Sequence, residues 1–194
     1  MGAIKFPHAS GNSVSIAAPA ANPASDRTLY LPSNADGTIR TTTTPGAILQ
    51  VVHASTATNA SQSFSAGTTF VDTNLSASIT PTATSSKILV TGYVSYYVDS
   101  AANGSKEWNF AITDGSDNIL DATTGVSEGY RINEMYQSGG KHPINFLHHP
   151  NTTSSFTYKI RMNACLSNNT ASLKANNAGQ GNNTSRITLM EVAA

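Results

Sequence analysis

Residues 155–163 read SFTYKIRMN, and every second one is large and apolar: Phe156, Tyr158, Ile160 and Met162. Thr157, Lys159, Arg161 and Asn163 fill the positions between. Side chains of a strand alternate between two faces, so this spacing builds one apolar and one wet face. A helix would scatter the same residues around its axis. The period recurs along most of the chain. In KILVTGYVSYYV (87–98) it sets Ile88, Val90, Val94, Tyr96 and Val98 on one side, against Leu89, Thr91, Tyr93, Ser95 and Tyr97 on the other. Trp108, Phe110 and Ile112 alternate in 107–113, as do Leu75, Ala77 and Ile79 in 75–79. Shorter strand signals stand at 47–53, 118–123, 130–136, 144–149, 170–175 and 186–192, with Gly, Asn, Ser and Asp between them.

Short alternating runs separated by turn residues predict an all-β, antiparallel sandwich. Their number suits a jelly-roll-like sandwich; a seven-strand immunoglobulin-like sandwich is the alternative. The last run, SRITLMEVAA (185–194), is apolar on both faces, with Ile187 and Leu189 on one and Met190 and Val192 on the other. Greek-key topology brings distant strands together, so this run is expected to pair between earlier strands. Its second apolar face suits a neighbour on the far side.

The first 44 residues read differently. Two short alternations, Val14/Ile16 and Leu29/Leu31, sit among Pro19, Pro23, Pro32 and the turn pair Asp36-Gly37. So few apolar residues cannot make a core, and an isolated hairpin is marginal in water. The expected division is therefore an arm, 1–44, that buries Val14, Ile16, Leu29 and Leu31 against something else, and a sandwich, 45–194.

Composition narrows the function. Charged residues make up 11% of the chain, with eleven bases against eleven acids; about 25% is typical. A neutral chain this poor in charge has no basic field for nucleic acid and no polybasic membrane signal. No apolar run approaches the ~20 residues of a membrane-spanning helix. MGAIKFPHASGN carries no basic-then-apolar leader, so classical secretion is not expected, and Phe6 stands where a myristoylation signal wants Ser or Thr. Triplets such as NAS (59–61) and NTT (151–153) are read as unglycosylated. The single cysteine, Cys165, excludes an internal disulfide and is read as a small buried residue.

Catalytic signatures fail one by one. YQSGGKH (136–142) has His142 where a phosphate loop needs Ser or Thr. Asp114 and Asp117 in TDGSDN lack the order and distal Glu of a calcium loop and read as an Asp-Gly turn. His148 and His149 are adjacent, so on a strand they point apart and cannot share a metal there without His142 or copies converging across a symmetry axis. No nucleophile set or paired carboxylates can be assigned. No catalytic, cofactor-binding or metal-binding residue is predicted, and no cofactor. Tyr93 and Tyr97 lie opposite the better apolar face of their run, so a surface recognition role is expected there. The expected recognition loops are 99–106, 125–129, 138–141 and 167–185.

The segment GNSVSIAAPAANPASDRTLYLPSNADGTI resembles the G-N-V-T-L-x-x-P…N-P…D-x-T-L-x-L-P…D-G-T segment of fibre-like virion proteins of tailed bacteriophages, marine ones especially. PGAILQVV (45–52), SITPTATSSKILV (78–90), TTSSFTYKIRM (152–162) and SRITLMEVA (185–193) are similar, in the same order, to motifs of the C-terminal β-domain of that group. Residues 99–151 carry no matching motif. The resemblance implies a non-enzymatic virion component assembled in the bacterial cytoplasm, a homotrimer in a fibre, tail appendage or head decoration. Its partners would be other virion proteins of capsid or tail, met through the arm. The alternative is a receptor- or glycan-binding module that attaches the particle to the host surface.

Overall fold

The structure is a computed structural model, and it describes residues 3–7, 11, 13–17, 45–63, 69–100, 104–121, 130–132, 138–167, 171–176 and 183–194. The chain divides into two units, Met1–Ile39 and Arg40–Ala194. In the first, β1 (Ala3–Pro7) and β2 (Ser13–Ala17) form an antiparallel hairpin, with Val14 in register with Phe6 and Ile16 with Ile4. The strand expected around Val14 and Ile16 is thus β2. Leu29 and Leu31 lie outside the described residues.

The second unit holds β3 (Ile48–Thr56), β4 (Ala60–Ser63), β5 (Val71–Ile79), β6 (Lys87–Ser100), β7 (Gly104–Thr113), β8 (Tyr130–Ile132), β9 (Ser138–His148), β10 (Phe156–Ser167), β11 (Ala171–Ala175) and β12 (Ser185–Val192). All pairings are antiparallel, and no helix occurs among the described residues. One sheet runs β5-β10-β7-β8; the other runs β3-β12-β6-β11-β4, with β9 also on β6.

The larger sheet simplifies on inspection of its register. β12 pairs with Lys87–Tyr93 of β6 and β11 with Tyr96–Ser100, so β11 and β12 lie end to end along β6. Outside them β3 pairs with β12 and β4 with β11. Two long strands, each interrupted once, therefore stand beside β6 and β9. Counted that way the described residues of the unit make eight strands, and the sheet orders in chain order are 1-8-3-6 and 2-7-4-5. Two interleaved four-strand sheets in this order are a jelly roll, the fold expected from the alternation. The terminal strand sits between β3 and β6, as a Greek key requires.

The inner faces carry the core. Leu75, Ile79, Ile88, Val90, Val94, Val98, Trp108, Phe110, Tyr158, Ile160, Met162, Ile187 and Leu189 are all buried there. Burying each large aliphatic side chain contributes about 1.5–3 kcal/mol. Gly92 is required where β6 passes β12: its φ is 153°, and a Cβ there would stand 2.1 Å from the Arg186 carbonyl oxygen.

Three local expectations need correction. Residues 118–121 make no strand, only a bridge between Thr113 and Ile119. The Asp114 carboxylate claims that stretch for a turn, accepting from the backbone of Ser116 (2.8 Å) and Asn118 (2.9 Å) and from the Asn118 amide (2.8 Å). Residues 138–141, expected as a recognition loop, belong to β9, where Gly139 and Gly140 let the strand pass close to Tyr97 and Tyr96. β4, ASQS, was missed because only Ala60 in it is apolar.

Where the two long strands break, a buried polar cluster holds the gap. Asn176, at φ 57°, is fully buried. Its backbone N–H donates to Ser95 O (2.9 Å), and its amide donates to Thr58 O (2.9 Å) and Thr73 O (2.6 Å). The Ser185 hydroxyl donates to its Oδ1 and accepts from Ser95 N–H at 2.9 Å. At the other end of β12, Glu191 is equally buried. It accepts from the Gln50 amide (2.6 Å), Thr82 N–H (2.7 Å), Thr82 Oγ1 (2.7 Å) and Ser86 Oγ (2.6 Å). Burial pushes its carboxyl up, but these donors outweigh burial and hold it below the usual glutamate value.

Candidate functional site

The two outer faces of the sandwich differ in chemistry. On the larger sheet the register aligns Val51, Met190, Leu89 and Leu147 as direct cross-strand neighbours over β3, β12, β6 and β9. Val51 and Leu147 are 58% and 55% exposed, Met190 and Leu89 half-buried, and all four stand outside the core cluster. With strands ~4.8 Å apart the row crosses about 14 Å of sheet. Val192, in register with the exposed Ile48, widens it toward one end of the strands. The next row, His53, Thr188, Thr91 and Asn145, is polar. Beyond it stand Arg186, Tyr93 and Pro143, with the Lys141 ammonium 4.6 Å over the Tyr93 ring.

Tyr93 is therefore half-buried on this outer face, under a lysine. Tyr97 is 8% exposed and takes a packing position, so the surface expectation for it is corrected. Its ring packs against Gly139, its register partner on β9, which has no side chain to displace it, a neighbour the alternation of β6 alone does not reveal.

His142 and His148 serve packing. His148 sits among Phe146, Phe156 and Tyr158, stacked on Phe146 at a centroid distance of 5.7 Å, with Nδ1 2.9 Å from the Tyr158 hydroxyl. Burial, and then the neighbouring His149, hold its imidazole below the usual value; burial raises the Tyr158 phenol. His149 Nε2 bonds Thr84 O at 2.8 Å, and His142 stacks on Phe110 at 4.8 Å. Among the described residues no three His, Cys, Asp or Glu side chains gather as a metal-binding group.

The smaller sheet carries ions on its outer face. Lys159 Nζ meets Asp117 at 2.9 Å, Arg161 Nε meets Asp72 at 3.0 Å, and Arg161 Nη1 meets Asp117 at 3.5 Å. The Asp117 hydrogen bond holds the Lys159 ammonium above its usual value. Beside this cluster a cleft opens between β5 and β10, lined by Asp72, Asn74, Leu75, Ser76, Lys159 and Ile160. The sequence offered Lys159 and Arg161 only as the wet face of a strand.

Topology and register define the class: a jelly-roll sandwich with one apolar and one ionic outer face. No protein-family model matches the chain, and no curated protein matches it significantly. Among solved structures, it is similar to a structure of infectious bursal disease virus, Gt strain, at 12% identity over 95% of this chain and 48% of that one, with a TM-score of 0.38. A structure of the Gx strain is similar at 13% identity over 87% of this chain and 42% of that one, with a TM-score of 0.37. The chain spans less than half the length of either.

Proposed function

We propose that the protein is a non-enzymatic structural component of a virus particle, a trimeric appendage or decoration of a tailed phage. The observation that carries this reading is the apolar row Val51–Met190–Leu89–Leu147 on the outer face of the larger sheet. Four aligned large side chains, two exposed and two half-buried, are an unmet burial. The surface still exposed on them amounts to about one and a half such side chains, so covering it contributes about 2–5 kcal/mol per copy. Homo-oligomers close through such repeated patches, and a threefold axis lets each copy cover its neighbour's row. The eight-strand topology supports the reading, since jelly rolls serve in viral capsids, although they serve lectins and cupins too. The ordered series of phage-like segments in the sequence supports it independently. Residues 1–44, with Val14, Ile16, Leu29 and Leu31, are the segment assigned to the particle.

Native mass spectrometry and sedimentation equilibrium of the full chain test the assembly. The expected species is a trimer, and Leu147→Lys, on an exposed edge-strand position, is expected to dissociate it while the fold persists. A wild-type monomer at high micromolar concentration would refute the assembly. Antibody labelling of purified particles tests the location, and its consistent absence from virions would end the virion reading.

A further inference from the structure

The cleft on the smaller sheet has a structural cause. Leu75 pairs with Ile160 and Asp72 with Arg161, so Thr73 and Asn74 face no partner on β10. Such a bulge bends its strand and re-aims side chains. Asn74 takes φ 62°, and Thr73 turns inward to donate to Ile160 O at 2.6 Å. The gap this leaves measures ≈ 250 Å³. That is just under the roughly 300–1,000 Å³ of pockets for drug-sized ligands, the size for one ring.

The polar groups lining it are only partly used. Asp72 spends Oδ1 on Arg161 and has Oδ2 to spare. The Asn74 amide nitrogen is turned toward Asn59 O (3.2 Å) and Thr58 O (3.5 Å), leaving Oδ1 as an acceptor. Ser76 is exposed, and its hydroxyl makes no hydrogen bond among the described residues. Lys159 gives one of its three N–H donors to Asp117. The cleft thus offers two acceptors, one hydroxyl and spare ammonium donors within one ring's reach. Its charges select against ions of either sign. Asp72 and Asp117 oppose an anion, Lys159 and Arg161 oppose a cation, and the four cancel.

From this we infer that the β5–β10 cleft is a binding site for a neutral, hydroxyl-rich ring, a single pyranose unit. A sugar alternates donors and acceptors around its edge and matches a mixed set that no simple ion satisfies. The site lies on the opposite side of the sandwich from the apolar row, so its lining shares no residue with that row.

The test is titration of the isotope-labelled full chain with glucose, galactose, mannose and N-acetylglucosamine, followed by amide NMR shifts. Inorganic phosphate and calcium serve as separate arms. The expected result is saturable shifts confined to residues 71–76 and 158–161 with at least one sugar. Ser76→Ala is expected to weaken that binding about 3- to 10-fold, and Asp72→Asn about tenfold or more, as for loss of a neutral and a charged partner. Ser76 is exposed and unbonded, so its variant reads the site even if Asp72→Asn fails to fold. No shift at these amides with any sugar, a response to phosphate or calcium alone, or undiminished binding in Ser76→Ala and Asp72→Asn would each overturn the assignment.

Discussion

Asn176 is the side chain on which the interrupted sheet most depends, and Asn176→Ala puts a number on it. The variant loses the donors to Thr73 O and Thr58 O and the acceptor for the Ser185 hydroxyl. Thr73 and Ser185 are fully buried, whereas Thr58 is exposed and can turn to water. Two buried groups left unpaired cost about 1–3 kcal/mol each. Alanine at φ 57° adds about 1 kcal/mol of left-handed strain. The expected loss is about 3–7 kcal/mol, against a total of about 5–15 kcal/mol for a domain. Asn176→Gly relieves the strain but not the lost bonds, so it should recover about 1 kcal/mol. Asn176→Asp should be worst, since a carboxylate would face two carbonyl oxygens. Urea unfolding followed by the fluorescence of Trp108, the one tryptophan and 3% exposed, reads all three. An Asn176→Ala protein within about 1 kcal/mol of wild type would refute the role of the cluster, and equal values for the Ala and Gly variants would refute the strain.

Glu191 gives the sandwich an acid limit. Its folded pKa lies below the ordinary 4.5, so its contribution is complete above that value and is lost as pH falls through the folded one. Glu191→Gln should flatten the acid limb of the stability–pH curve and cost about 1–3 kcal/mol at neutral pH. Its new amide would face the Gln50 donor, which cannot turn without losing Thr80 O (2.7 Å). An unchanged acid limb, measured by thermal melts from pH 3 to pH 7, would contradict this. Gly92→Ala should destabilise by about 2–4 kcal/mol through overpacking and strain, because its Cβ meets backbone rather than a movable side chain; a melt matching wild type would show that β6 and β12 part easily.

The sequence made the inner faces legible and left the joints hidden. Phe156 to Met162, Ile88 to Val98 and Ile187/Leu189 face the core where the alternation placed them, because one buried face per strand imposes period two. Asn176 was invisible: it stands in KANNAGQGNNTS among asparagines of the same kind, and its backbone conformation and three distant partners are tertiary facts. The apolar row was half legible. Leu89, Met190 and Val192 showed apolar residues on the second face, but only register sets Val51 and Leu147 beside them. The cleft had no sequence signal, since a two-residue slip between β5 and β10 creates it. Tyr97 departs from expectation for a related reason: its register partner on β9 is a glycine, which leaves room for the ring to pack down on the sheet.

The place of β12 has a consequence for the order of synthesis. Among the described residues β3 has no hydrogen-bonded partner strand except β12, and the Lys87–Tyr93 half of β6 has only β9 without it. A growing chain that has reached residue 184 holds nearly every inner-face residue and can join β4 to β6 through β11, but it cannot join β3 to β6. Joining β3 to β6 therefore waits until the eight residues of β12 have been made. A chain truncated before Ser185 should therefore be unfolded rather than a smaller domain, as loss of its near-ultraviolet dichroism would show.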